Sequence, residues 1–369
     1  MADVRLEKWA DLLVNYSLEV KPRERVMIRA DWLAEPLVKA VYAQVLQAGG
    51  YPFIFIDIPE TRELFFKYAN DDQLTHISEP MQLAMTTYEC MLRIIADENT
   101  RALNNIDPLK VKKNAQALRT LQETYMARAA SGDLRWSLTA YPTQAYAQDA
   151  DMSLAAYTEF LYGAVMPDAN DPVGYWRRVS AHQERIIQWL KGKKSVHLLG
   201  KGTDLRLSID GRVFENCDCK KNVPDGEVFT GPVEDSVEGH VSFSYPTIYQ
   251  GREVTGVHLE FSKGKVVKAS ADKNEDFLLK TLDTDDGSRY VGEFAIGTNE
   301  GIQQFTRQIL FDEKIGGSFH MALGAGYPET GSLARSAIHW DMICDLRDGG
   351  QIWVDDVLFY ENGKFKVAA

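Results

Sequence analysis

Apolar residues recur at helical spacing at the start of the chain, where Leu6, Trp9, Leu12 and Leu13 mark one face of RLEKWADLLVNYSLEV. RVMIRAD then reads as a buried strand, and EPLVKAVYAQVLQ as an amphipathic helix stopped by Gly49 and Gly50. YPFIFIDI follows as a second apolar strand, and MLRIIAD as a further one. Strand, helix and strand with short connections predict a right-handed parallel βαβ unit. The glycine fingerprints of dinucleotide and phosphate loops are missing after the first strand. GKGTDL is glycine-rich, but Leu205, Leu207 and Ile209 then alternate as in a strand, so it reads as a turn and not as a helix-opening phosphate loop.

Residues 106–192 are helix-rich, with Trp176, Val179, Ile186, Ile187 and Leu190 along one face of the last segment. From SVHLLG onward, short alternating stretches are cut by Gly, Asp and Asn. IDGR, SKGK and ENGK are read as hairpin turns. The expected fold is an α/β N-terminal domain with a helical extension over residues 1–192. An α+β, largely antiparallel-β C-terminal domain is expected over 193–369.

Composition changes this picture little. A chain of 369 residues has room for two domains, and its 45% hydrophobic and 25% charged residues are ordinary for a globular protein. The net charge of -12 argues against a nucleic-acid partner bound through phosphate neutralisation. The N-terminus MADVRLEKWADLL lacks a secretory pattern, and no uninterrupted apolar run of about 18 residues suggests a membrane span. Cys90, Cys217, Cys219 and Cys344 are too few for a disulfide scaffold, so reduced thiols and a cytoplasmic location are expected.

Polar residues interrupting the apolar second half are the candidates for chemistry. Glu227 begins a β-prone run after a Pro-Asp-Gly turn, where a glutamate is more often a solvated strand-edge residue. Glu293 sits between Gly292 and Phe294, and a carboxylate buried there must be paired, protonated or metal-bound. His320 lies on an apolar run where a hydrogen-bonded core histidine is the commoner outcome; Tyr327 follows in a glycine-rich loop. His339 and Asp341 in SAIHWDMICDL share one face of a strand, as a structural pair or as two ligands, with Trp340 on the other. Two glutamates, two histidines and an aspartate could hold two divalent ions about 3.5–4 Å apart. The HExxH helix of single-zinc peptidases is missing. His258 and Glu260 repeat the spacing of His339 and Asp341, but in a hairpin segment expected to face solvent. His182 falls on a polar helix side, His240 has no assigned role, and Cys344 lacks a nucleophile context.

These segments, in this order, are similar to the aminopeptidase T/aminopeptidase S family, the thermophilic-type dimetal aminopeptidases. LLVNYSLEVKPRERVMIRA and AEPLVKAVYAQVLQAGGYP resemble its N-terminal domain. PDGEVFTGPVEDSVEG, GEFAIGTN, LFDEKIGGSFHMALGAGYPETG and HWDMI resemble its catalytic motifs. The resemblance implies that Glu227, Glu293, His320, His339 and Asp341 are metal ligands and that Tyr327 stands beside the metals. Glu313 in FDEKIGG resembles a further acidic position near the site. Also implied are two divalent ions per chain, with zinc first and cobalt, manganese or magnesium as alternatives. The implied activity removes the N-terminal residue from short peptides with a free N-terminus, in a homodimer whose active sites face an enclosed cavity. Glu293 or Asp341 would bridge the ions. The competing readings are another dimetal amidohydrolase or carboxypeptidase, and a non-catalytic protein that binds a small ligand.

Overall fold

In the computed structural model, which describes residues 3–367, the helix Val4–Asp11 continues as a wider turn over Leu12–Ser17. Of the periodic residues, Trp9, Leu12 and Leu13 are fully buried and Leu6 is half-buried. The next elements are β1 (Arg25–Asp31), α1 (Glu35–Gln47), β2 (Tyr51–Asp57) and β3 (Cys90–Ile95). Helix α1 buries Leu37, Val38, Val41 and Val45, and the chain leaves it through Gly49 at φ +80°. The parallel sheet runs β2, β1, β3, then β4 (Arg135–Ala140), then the short strand Asn222–Val223. Strand β4 falls within residues 106–192, where the sequence pattern predicts helix. RWSLTA alternates polar and apolar residues at the strand period, but it is a short run inside a helix-rich region, directly after the 24-residue helix Pro108–Ser131. Strand β2 is the sheet edge, which leaves Tyr51, Phe53 and Ile54 exposed.

From Ser195 onward, Asn222–Val223 apart, the named strands pair antiparallel. An eight-stranded sheet runs, in spatial order, Lys265–Ser270, His258–Ser262, Glu238–Ser242, Thr203–Ser208, Ser195–Gly200, Gln351–Val354, Val357–Glu361 and Lys364–Phe365. A five-stranded sheet is built from β5 (Glu215–Cys217), β6 (Glu227–Thr230), β7 (Val291–Gly297), β8 (Ser318–Gly324) and β9 (His339–Asp345). Its spatial order is β9, β8, β7, β6, β5. Val196, Leu198 and Leu205 of the larger sheet share one core with Phe294, Phe319, Met321 and Trp340 of the smaller. Each such side chain, fully buried, contributes roughly 1.5–3 kcal/mol.

SKGK and ENGK turn hairpins as expected, and GKGT links two paired strands. IDGR does not make a hairpin. The strand before it pairs with Ser195–Gly200 and Glu238–Ser242, whereas β5 after it pairs with β6 in the other sheet. A turn signal reports a local reversal and not which partner the next strand finds.

The chain separates into two compact units, Met1–Val173 with Cys219–Pro224, and Gly174–Asp218 with Asp225–Ala369. Helix α2 (Pro172–Leu190) crosses the boundary and supplies Ile186 and Leu190 to the core of the second unit. No described helix is long and apolar enough to cross a membrane. Cys90, Cys217, Cys219 and Cys344 form no disulfide.

Candidate metal centre

The cross-strand register gathers the candidate ligands on one face of the five-stranded sheet. Glu293 on β7 lies opposite Ala322 on β8, which lies opposite Asp341 on β9. His320 pairs with Ala295, His339 with Gly324, and Glu227 on β6 with Gly297. Directly opposed residues point to the same side, so Glu227, Glu293, His320, His339 and Asp341 converge. Alanine and glycine at the intervening positions leave space above the sheet. The alternate positions, including Phe294, Phe319, Met321 and Trp340, form the core. Trp340 is held there by its indole N–H donating to Thr247 Oγ1 at 2.7 Å and by stacking on Tyr249.

A bulge delivers Glu293 to this face. Val291 pairs with Leu323 and Glu293 with Ala322, so Gly292 is the extra residue. Val291 and Leu323 both lie in the core. Without the bulge, strict alternation would send the carboxylate into the core with Val291.

The two imidazoles are fixed by their far nitrogens. His320 Nδ1–H donates to the Glu313 carbonyl at 2.8 Å, and His339 Nδ1–H to the Ala325 carbonyl at 2.8 Å. A carbonyl can only accept, so Nε2 of each neutral ring presents a lone pair to the carboxylates. His320 Nε2 lies 3.5 Å from Glu227 Oε2 and 3.7 Å from Glu293 Oε1. His339 Nε2 lies 3.2 Å from Glu293 Oε2 and 3.4 Å from Asp341 Oδ1. Most of these separations exceed a good hydrogen bond. They match the edge of a tetrahedron around an ion with bonds of about 2.0–2.2 Å.

Two ligand-like groups emerge, Glu293 with His339 and Asp341, and Glu313 with His320 and Asp341; donor atoms in each lie within 4.8 Å of one another. Glu227 Oε2 and Asp341 Oδ1 are buried with no hydrogen-bond partner among the described residues. Orphaned carboxylate oxygens facing imidazole lone pairs fit a cation. Burial opposes charge on both imidazoles, but the carboxylates outweigh it and raise both above the ordinary histidine range. Burial likewise opposes the Glu293 carboxylate, which His320 and His339 hold below its usual range. Without ions, protons on the rings balance the carboxylates; bound cations would displace them.

Glu313 joins the cluster, and burial raises its carboxyl to about 7 against the pull of the Lys314 ammonium. Tyr327 sets its ring 5.3 Å from His339 and 5.2 Å from Phe229 and remains 39% exposed. A third group was missed: Cys217, Asp225 and Glu227, with the fully buried Lys314 among them. Asp225 two residues before Glu227 repeats the His339–Asp341 spacing, the one available signal. His240, His258 and Glu260 belong to the other sheet, where they line a cavity of about 430 Å³. A smaller cavity of about 160 Å³, between residues such as Ile248, Phe305, Ile309 and Asp341, adjoins the cluster. His182 packs against Phe365, and Cys344 is buried with its thiol pushed up by burial, unlike a nucleophile.

The segment entering β9 is anchored by Asp285. It accepts from Ala337 N–H at 2.7 Å, Ser336 Oγ at 2.8 Å, Ser288 Oγ at 2.9 Å and Gly287 N–H at 3.0 Å. These bonds, the one from Ala337 first, hold its carboxyl down to about 2. A depressed folded-state value stabilises above the unfolded value of about 4 and is lost as pH falls toward 2. Asp285→Ala is therefore expected to lower unfolding free energy by about 1 kcal/mol at neutral pH, discounted for partial exposure. Denaturant titrations of both proteins should find that gap constant above about pH 5 and closing below about pH 4. A gap independent of pH would remove Asp285 as the cause.

A convergent carboxylate–imidazole cluster on an antiparallel sheet, in a chain that also carries a parallel α/β sheet, defines a candidate metalloenzyme. The chain belongs to the thermophilic metalloprotease (M29) family, whose profile matches residues 2–365. It is 28% identical over 365 residues to Aminopeptidase 2 of Geobacillus stearothermophilus, covering 88% of this chain and 84% of that one. It is 25% identical over 352 residues to Aminopeptidase T of Thermus thermophilus, covering 88% and 85%. The solved structure of wild-type AmpT from Thermus thermophilus has the same fold, with a TM-score of 0.85 and 22% identity over 99% of both chains. A 2,5-dihydroxypyridine dioxygenase from Pseudomonas putida KT2440 shares it more distantly, with a TM-score of 0.63 and 14% identity over 100% and 99%.

Proposed function

We propose that this metalloprotease is an aminopeptidase that removes the first residue of short peptides, using two divalent ions held by Glu227, Glu293, His320, His339 and Asp341. The observation that carries this reading is the position of Asp341 in both ligand-like groups. A carboxylate common to two groups would help to hold an ion at each. Imidazole and carboxylate donors suit zinc, with cobalt, manganese or magnesium as alternatives. When bound, the ions supply Lewis-acid activation of a water and of the scissile carbonyl.

This chain's own residues do the rest. Glu227 and His320 close the deep end of the cluster, while His339, with its side chain 29% exposed, marks the open end. Tyr327 donates its phenolic hydrogen to the carbonyl oxygen as charge develops there. Glu313, beside His320 and Asp341, carries the proton from the attacking water to the departing amine. The carboxylates receive the substrate's free ammonium group. The 160 Å³ cavity beside Asp341, with Ile248, Phe305 and Ile309 on its walls together with Arg307 and Asp312, would receive the first side chain of the substrate.

The test is metal removal and titration with a chromogenic amino-acid amide, alongside free and N-acetylated dipeptides. Dialysis against a chelator is expected to abolish turnover, divalent ion to restore it, and acetylation to block it. Full activity after rigorous metal removal would sink the reading, and cleavage of the acetylated peptide would favour an endopeptidase or carboxypeptidase instead.

A further inference from the structure

Lys314 carries a fully buried ammonium group behind the proposed metal ligands. It pairs with Glu313, lies 3.5 Å from Glu227 Oε1, and lies 3.8 Å from Asp225 Oδ1. Glu227 therefore divides its oxygens, Oε1 toward Lys314 and Oε2 toward His320. Around the same ammonium, Cys217, Asp225 and Glu227 bring a sulfur and two carboxylate oxygens within 4.8 Å of one another. Asp225 is 2% exposed, and its Oδ1 has no hydrogen-bond partner among the described residues. A buried carboxylate oxygen left without a donor is costly unless a cation compensates it. Here the compensating cation belongs to the chain.

The backbone locks this arrangement. Asn299 donates its side-chain N–H to the Asp225 carbonyl at 2.7 Å, and its own backbone N–H to the Lys314 carbonyl at 3.2 Å. The loop carrying Asp225 and the turn carrying Lys314 are thus tied to one residue. Gln183 bonds the Cys217 carbonyl at 3.0 Å and the Asn216 side chain at 2.6 Å, fixing the third edge.

We propose that Cys217, Asp225 and Glu227 form a third, inner divalent-ion position, and that Lys314 fills it with an ammonium and so limits the centre to its outer ions. The inference rests on the metal-centre reading above, because Glu227 is shared between the two. With the ammonium removed, one thiolate and two carboxylates would remain, a donor set that suits zinc or cadmium. The thiol would give up its proton to solvent on binding.

The experiment measures zinc content per chain after equilibration and dialysis, for wild type, Lys314→Met and Lys314→Arg. Cadmium titration is followed by the ultraviolet thiolate-to-cadmium absorption. Lys314→Met is expected to hold one ion more than wild type and to gain that absorption, and adding Cys217→Ser should remove it. Lys314→Arg keeps the charge and should keep the wild-type count. An unchanged count in Lys314→Met overturns the proposal. Should that variant not fold, Cys217→Ser alone decides the matter. Its zinc count equals that of wild type if the ammonium holds the inner position, and a lower count overturns the proposal. Wild-type protein that binds no divalent ion would bring down the metal-centre reading itself, whereas wild type with its ions and Lys314→Met with no more defeats only the inner position.

Discussion

Replacing Asp341 with alanine is expected to reduce turnover by more than about 100-fold and to strip the centre of ions. Removing a residue that merely orients a ligand typically costs 10–100-fold in metal affinity or activity. Asp341 should cost more, because its carboxylate belongs to both ligand-like groups and one of its oxygens is buried without a hydrogen-bond partner. Alanine lowers ligand count and negative charge together, so affinity at both positions should fall. The fold should survive. Asp341 makes its strand contacts through the backbone, including a carbonyl that accepts from Thr247 Oγ1 at 2.7 Å, and alanine preserves these. Metal content and kinetics on an amino-acid amide, with circular dichroism as a control, check the result. Wild-type stoichiometry and turnover in this variant would remove Asp341 from the centre.

The parts of this molecule legible in its sequence are those whose signal is local. The helix at Trp9, strand β1 and helix α1 are visible because burial follows their own periodicity. His339 and Asp341 are visible as a pair because a strand repeats every two residues, and Trp340 does pack on the opposite face. What brings Glu227, Glu293 and His320 to that pair is register between strands distant in sequence, and periodicity carries no register. Residue type alone makes these five an inventory of donors, and only resemblance to a family implies that they act as one ligand set. Lys314 was illegible for another reason. A lysine next to a glutamate in FDEKIGG reads as a solvated charge, and nothing nearby announces that it is fully buried. The likeness in fold to a dioxygenase makes the same point from the other side, since a shared fold does not by itself fix the chemistry.

The bulge at Gly292 is where local and global information conflict, and it supports the second large prediction. Read by alternation, Val291 and Glu293 share a face; in the structure Val291 is in the core and Glu293 is in the ligand cluster. Gly292 absorbs the change of side, and a Cβ there would lie 2.2 Å from the Ala325 carbonyl oxygen and 2.7 Å from that of Gly324. Both contacts are backbone, so no side chain can swing away. Ala325 also accepts the His339 Nδ1–H, so a shift that relieved the clash would turn the imidazole as well as Glu293. Gly292→Ala is therefore expected to cost about 1–3 kcal/mol of stability from overpacking. It should also cost on the order of 100-fold in turnover, the scale set by displacing a catalytic group by about 1 Å. Gly163→Ala serves as the control: it lies in the helix Leu154–Val165 with open space at the new Cβ. That change should be neutral or stabilise by up to about 1 kcal/mol, with turnover intact. Denaturant unfolding, turnover and metal content of the two variants separate the outcomes. If Gly292→Ala keeps wild-type turnover and metal content, the bulge is not what holds Glu293 on the ligand face.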